Sequence, residues 1–430
     1  MTLSLYVDAP RWRAHTERTR DDVRRAVGST VHADPAAGRP HVHLGDLVPV
    51  AKGNGYGLGN ARLAREAGRL GLTRIAVGTV FEVAEVAGAH DGDILVLTPF
   101  DPRDTVAGAA WVEVAHAPYA DRVLRTVSSR EAWDAVAAGP GPVRVVLEAL
   151  TSMGRFGLTD AELADLLEAP STRDALAAGR VRLEGLALHL PLAAPHLDHR
   201  SVPGARWHDA GVAPAPPPGA TARVTEAHAW ALGWVRAAAD LSDRLRAGDP
   251  DAEAVTALTS AAALWVSHLD DAELAALRAA VPDVALYARI GTRLWLGDRG
   301  ALAVRGTVLA VHEVVRGQAS GYRQRRAGRA GAVVVVGGGT AHGIALEAPS
   351  PAASWRQRAV VAGTGLLDAA GRALSPFHVG GAQRWFAEPP HMHVSLLRLP
   401  AGTALPEVGE QVDVDVRMTT LHADRVLGLD

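Results

Sequence analysis

The chain has 430 residues, with 44 Lys plus Arg against 47 Asp plus Glu and a net charge of −3. That balance excludes a nucleic-acid binder built on a strongly basic face. The absence of cysteine excludes disulfides, thiolate metal sites, iron–sulfur clusters and thiol nucleophiles. No stretch approaches the ~20 apolar residues of a membrane span, and MTLSLYVDAPRWRAHTERTRDD at the N-terminus lacks the apolar core of a signal peptide. The composition predicts a soluble, cytoplasmic protein. At this length two domains are expected, because single cores stop growing near ~250–300 residues.

In chain order, residues 3–8 (LSLYVD) predict a strand and 9–27 a charged amphipathic helix with Pro10 at its start. Residues 47–51 (LVPVA) predict a short apolar strand ending at Lys52, followed by a glycine-rich turn and a helix over 60–70. Apolar strands at 74–79, 93–100, 143–150 and 183–190 alternate with helices such as 80–89, 160–168 and 270–280. Strands apolar on both faces, alternating with helices, mark a parallel α/β sheet. Roughly 250 residues of this pattern fit a TIM-like (β/α)8 barrel. Residues 194–222, rich in Pro, Gly and His, predict an exposed insertion. Beyond about residue 300 the strands at 304–315, 330–339, 359–367, 393–399 and 411–418 follow without long helices between them. The expected architecture is therefore a barrel over residues 1–303 and a C-terminal β-rich domain over 304–430, with 3–8 a candidate strand of the second domain.

Of the 44 basic residues only Lys52 is a lysine. Arginine replaces lysine wherever a surface cation suffices. It cannot replace lysine where a deprotonated amine must attack a carbonyl. The sole survivor stands at a strand end, which is where a barrel places its functional groups. Burial there can lower an amine's pKa. Tyr56 lies four residues on, in a loop whose exposed amides can hold an anion.

VPVAKGNGYGLG (48–59) resembles the pyridoxal-phosphate lysine motif of the alanine racemase family, Lys-Ala-Asn-Ala-Tyr-Gly-His-Gly. Lys52, Asn54, Tyr56, Gly57 and Gly59 are kept. TSMGRFG (151–157) is similar to the family's Asp-Thr-Gly-Met-Gly-Arg-x-Gly, which implies Arg155 as ligand of a substrate carboxylate. LEGLALHL (183–190) resembles the strand whose histidine packs on the cofactor ring, implicating His189. TALTSAAAL (256–264) resembles a phosphate-contact motif, with Ser260 as the hydroxyl. ARIGTRLWLG (288–297) is similar to the segment that sets an arginine, here Arg289, against the pyridine nitrogen and the amides of Gly291 and Thr292 on the phosphate. GQASGYR (317–323) resembles the segment of the second catalytic base, implying Tyr322. EPPHMHVSLL (388–397) resembles a later substrate-binding segment, with Met392 retained.

The resemblance runs the length of the chain in order. It implies a pyridoxal 5'-phosphate-dependent amino-acid racemase with two bases, Lys52 and Tyr322, one on each face of the α-carbon. It also implies a homodimer with shared active sites, a small amino-acid substrate and no metal; the charge balance and the short apolar runs predict no nucleic-acid or membrane partner. The competing readings are a same-fold enzyme of altered chemistry on an unusual amino acid, and a non-catalytic pyridoxal-phosphate carrier.

Three departures sharpen the expectation. Glu148 stands where the family often has a carbamylated lysine, which predicts that it pairs with Arg155. Thr340 replaces one entrance tyrosine, and the family's C-terminal Arg-x-x-Arg-x-Tyr stretch has no counterpart, which predicts a wider entrance and substrates larger than alanine. His393 stands where the family has the aspartate after its methionine, which leaves the support of the second-base side open.

Overall fold

The structure, a computed structural model, describes residues 2–29, 45–193, 215–248, 263–346 and 373–429. The chain divides into two compact units, Thr16–Gly53 with Asn60–Trp295, and Met1–His15 with Asn54–Gly59 and Leu296–Asp430. The predicted strand at 359–367 and most of the predicted insertion lie outside the described residues. Residues 222–248, at the insertion's end, form a helix.

The first unit is a parallel sheet of eight strands: β2 (Gly45–Pro49), β3 (Arg74–Val77), β4 (Asp93–Val96), β5 (Val123–Val127), β6 (Val143–Ala149), β7 (Val181–His189), β8 (Ala263–Ser267) and β9 (Ala285–Ile290). The spatial order is β2-β9-β8-β7-β6-β5-β4-β3. A parallel bridge of Val50 with Ala76, and the Ala51 amide donating to the Ala76 carbonyl at 2.8 Å, bring β2 and β3 together and close the barrel. Helices between the strands cover its outer face, so the strands are buried on both sides, as their apolar sequences require.

The barrel interior is filled in layers. Val48, Val146, Ala187, Trp265 and Tyr287 belong to one apolar cluster. The Trp265 and Tyr287 rings lie 4.6 Å apart, and the Arg74 guanidinium sits 4.5 Å from the Tyr287 centroid. Near the N-terminal ends of the strands, Arg144 bridges Asp93 at 2.5 Å and Glu184 at 2.7 Å. Side chains alternate faces along a strand. The inward residues two positions beyond Val146, Ala187, Trp265 and Tyr287 are therefore Glu148, His189, Ser267 and Arg289. Register aligns His189 with Ser267, and Ser267 with Arg289. The polar layer at the C-terminal mouth thus follows from the two-residue period of strands that are apolar below it.

The second unit is a sheet of mostly antiparallel strands. It contains β1 (Leu3–Val7), β10 (Leu302–Val314), β13 (Gly331–Gly337), β14 (Leu374–Val379), β15 (Ala382–Phe386), β16 (Val394–Pro400), β17 (Gln411–Val414) and β18 (Arg425–Leu427), with β11 (Ala319–Ser320) and β12 (Arg325–Arg326) as a separate short hairpin. The order is β13-β16-β15-β14-β17-β10-β1-β18, and β13 also pairs with β10, closing six strands into a ring. The N-terminal strand β1 lies between β10 and β18. The β11–β12 hairpin carries Tyr322 at its tip.

Trp295 is fully buried, and its indole N–H donates to the Val50 carbonyl at 2.8 Å, two residues before Lys52. Trp295→Ala is expected to destabilise the fold by about 3–5 kcal/mol, whereas Trp295→Phe keeps much of the volume and loses the hydrogen bond, about 1 kcal/mol. Chemical denaturation of the two variants checks the ratio. Equal losses would show that the indole N–H, not the packing, is what matters.

Candidate active site

The turn after Lys52 explains its glycines. Gly53, Gly55, Tyr56, Gly57 and Gly59 all have φ between 56° and 89°. Glycine adopts this left-handed region freely. Tyr56 does not, and a non-glycine residue held there costs on the order of 1–3 kcal/mol. Within the second unit, the Asn54 amide donates to the carbonyls of Met418 (3.0 Å) and Leu421 (2.7 Å), and Tyr56 is buried.

In the barrel, Glu82 holds the start of the turn. Its carboxylate accepts the Gly53 amide at 2.9 Å on one oxygen, and the amides of Gly78 (2.6 Å) and Thr79 (3.2 Å) on the other. Asn60 donates to the Gly53 carbonyl at 2.9 Å. The Lys52 amine is pushed below its ordinary value of 10.5, first by burial and then by the field of Arg155; Glu82 opposes this, and Arg289 adds to it.

Arg289 is 6% exposed. One terminal nitrogen donates to the Leu188 carbonyl at 3.0 Å, while its Nε is buried with no partner among the described residues. Burial lowers its pKa to about 10, so it stays charged at neutral pH. Glu148 is 2% exposed, with Oε2 also lacking a partner among the described residues. Burial raises its pKa, against the opposing fields of Arg289 and then Arg155. The expected Glu148–Arg155 ion pair is not formed among the described residues. Arg155 sits in an exposed turn with its guanidinium 5.0 Å from the Phe156 ring centroid. Arg289, on the strand layer level with the mouth, is the stronger influence on Glu148.

The His189 Nδ1 lies 3.0 Å from the Ser267 hydroxyl, and its ring is 4.9 Å from that of His268. Burial first, then Arg289, Arg155, His268 and Lys52, lowers His189 to about 3, so the imidazole is neutral at physiological pH. The loop carrying Arg155 is anchored by Glu226, fully buried on helix Ala222–Gly248, whose carboxylate accepts the Ser152 amide (2.5 Å) and hydroxyl (2.6 Å). Gly291 and Thr292 follow β9, with Thr292 opening the short helix Thr292–Leu296.

The barrel thus brings Lys52, Glu148, Arg155, His189 and Arg289 within reach of one another's fields. Ser260 lies outside the described residues. The second unit brings Tyr322 and Met392 to one groove, together with Thr340 and His393. Tyr322 is 85% exposed and Met392 65%. Sequence reasoning passed over Glu82, Glu226, Ser267 and His268. Only Ser267 and His268 had a signal, their place at the end of an apolar segment.

The profile of the alanine racemase N-terminal domain matches residues 39–279, more than half of the chain. The chain belongs to the alanine racemase family. Alanine racemases of two Listeria monocytogenes strains, 10403S and EGD-e, are each 33% identical over 151 residues, which is 34% of this chain and 37% of theirs. The match therefore spans little more than a third of those relatives' length. Solved alanine racemases share the fold over nearly the whole chain. That of E. faecalis is 18% identical with a TM-score of 0.53, covering 96% of this chain and 88% of that one. That of Bartonella henselae, solved with covalently bound pyridoxal phosphate, is 14% identical with a TM-score of 0.56, covering 99% and 100%. Among the described residues, no helix is long and apolar enough to cross a membrane.

Because alanine racemase-family residue Lys52 is this chain's only lysine, amine acylation followed by peptide mapping reads it directly. The rate is expected to reach half-maximum below pH 10.5. Glu82→Gln should lower that midpoint further and Arg155→Gln should raise it. A wild-type midpoint at or above 10.5 contradicts the site's electrostatics.

Proposed function

We propose that this chain is a pyridoxal 5'-phosphate-dependent amino-acid racemase. The observation that carries the reading is the pairing of a lone, pKa-lowered lysine at the barrel mouth with a buried Arg289 whose Nε is left without a partner. A buried donor without an acceptor is costly, and a ring nitrogen of the cofactor would satisfy it. Lys52, Arg289 and His189 would hold the ring. The amides of Gly291 and Thr292 would hold the phosphate, and by their place in the motifs Tyr56 and Ser260 would join them. Bound pyridoxal phosphate supplies an aldehyde for the lysine and a ring that draws charge from the α-carbon.

The remaining work belongs to the chain. Arg155, a fork of donors, receives the substrate carboxylate. Lys52 takes or returns the α-proton on one face, which its lowered pKa favours. Tyr322 does the same on the other face. Arg289, still charged at neutral pH, would stand against the ring nitrogen of the bound cofactor and so disfavour its protonation. Neutral His189 would pack on the ring without adding a competing charge. Glu148 lends Arg289 a counter-charge. Tyr322 and Met392 are exposed on their own unit, as residues that complete the site of a second copy in a homodimer would be.

With the cofactor added, the protein should interconvert L- and D-amino acids. In deuterium oxide, α-deuterium should enter both enantiomers. Lys52→Ala should abolish turnover together with the visible absorbance of the bound cofactor. Tyr322→Phe should stop exchange from one enantiomer only, and exchange from both at the wild-type rate would contradict the two-base assignment. Thr340 in place of a tyrosine favours an entrance that admits more than alanine. Turnover of serine, lysine and arginine alongside alanine tests this, and strict preference for alanine contradicts it.

A further inference from the structure

A base that transfers a proton must hold its reacting atom to a fraction of an ångström, yet Tyr322 is an 85%-exposed residue at the tip of a hairpin. What restrains it comes from a different segment. Glu388, after β15, is 3% exposed, and its carboxylate points at the hairpin. One oxygen accepts the Tyr322 amide at 3.1 Å and the His391 Nε2 at 2.6 Å, and the other accepts the Arg323 amide at 3.2 Å. The His391 ring lies 4.4 Å from the Tyr322 ring, tilted by 36°.

The approach is so close that a Cβ at Gly321 would stand 2.2 Å from the Glu388 carboxyl carbon, and Gly321 has φ +77°. Only glycine fits there. Glu388 is itself fixed: the Ala387 amide donates to Leu396 at 2.7 Å, the His391 amide to Val394 at 2.9 Å, and the His391 carbonyl accepts the Thr340 amide at 2.9 Å. Burial would raise the Glu388 carboxyl, but the bonds from His391, Arg323 and Tyr322 prevail and hold it below the usual carboxylate range. It is therefore an anion at neutral pH, and its bonds are of the stronger, charge-assisted kind.

We propose that Glu388 is the positioning residue of the second base: by gripping the amides of Tyr322 and Arg323 and orienting His391 against the phenol ring, it fixes Tyr322 for proton transfer on one face of the α-carbon. The inference rests on the racemase reading of Tyr322. It answers what supports that side of the site where His393 replaces an acidic residue. His393 instead packs edge-on against His342, 5.9 Å between centroids, and His342 pairs with Asp424.

The test compares α-deuterium exchange from each enantiomer in the cofactor-loaded wild type, Tyr322→Phe, Glu388→Ala and Glu388→Gln, with amide hydrogen exchange of the 317–326 peptide read by mass spectrometry. Glu388→Ala is expected to slow exchange from the Tyr322-dependent enantiomer on the order of 100-fold, the effect of a displacement of about 1 Å. Exchange from the other enantiomer should be unchanged and the hairpin amides should lose protection. Glu388→Gln, which keeps the shape and one acceptor oxygen, should recover part of both effects. Gly321→Ala should reproduce the one-sided loss by pushing the carboxylate away. If Tyr322→Phe is one-sided but the Glu388 variants slow both enantiomers equally, or neither, the positioning role is overturned while the racemase reading stands. If Tyr322→Phe leaves both exchanges intact, the racemase reading of Tyr322 fails and the inference falls with it.

Discussion

The charge state of the barrel mouth is set first by burial, and one buried guanidinium bears on each of the shifted groups there. Arg289 sits in the layer directly above Tyr287 and Trp265, where water cannot solvate it. Desolvation lowers its pKa to about 10, which still leaves it charged. Its field then acts on every titratable neighbour. Burial comes first at each group; the field of Arg289 adds to the lowering of Lys52, His189 and His268, and opposes the burial that raises Glu148. An isolated buried charge would be prohibitive. Glu148 stands at the same level and its field opposes the lowering of the Arg289 pKa, although no ion pair joins the two among the described residues. The Arg289 Nε–H and the Glu148 Oε2 both lack a partner among the described residues, which supports the proposed reading of this layer as a place for a ligand.

In each unit the candidate groups outside the strands are carried by loops, and loops leave backbone amides without partners. The same solution appears three times. Glu82 takes the amides flanking the Lys52 turn, Glu226 takes the Ser152 amide and hydroxyl in the Arg155 loop, and Glu388 takes two amides beside Tyr322. Glu226 and Glu388 arrive from a different element than the loop they hold, and Glu82 joins the Gly53 amide to the Gly78 and Thr79 amides of its own loop. Rigid scaffold is thereby extended to side chains that regular structure does not itself carry.

Much of the barrel could be read from the sequence because its physics is local. Apolar runs of four to eight residues between glycines and helix starts mark buried strands, and Lys52 was conspicuous by count and by its place at a strand end. Strand β5 and the helices Thr105–His116 and Arg130–Ala138 were less legible: Arg125 and Thr126 inside β5 break its apolar run. The β-rich unit hid more, since β14, β15 and β18 are short and interrupted by polar residues. The partners of Glu148 and Tyr322 could not be read at all. Spacing along the chain suggested Arg155 for Glu148. The barrel register instead brings Arg289 from three strands away, and Glu388 is separated from Tyr322 by 66 positions. Cross-strand charge pairs and carboxylates that hold distant amides are set by topology, which one sequence does not spell out.

In the proposed racemase Lys52, its pKa lowered by burial and by neighbouring arginines, would be the group that carries the cofactor. Borohydride treatment of the protein at neutral pH with one equivalent of pyridoxal phosphate, followed by peptide mass mapping, tests this most directly. One phosphopyridoxyl group on the peptide containing Lys52, and none on the N-terminal amine, is the predicted result. An unlabelled Lys52 peptide, or label confined to the N-terminus, would contradict the account.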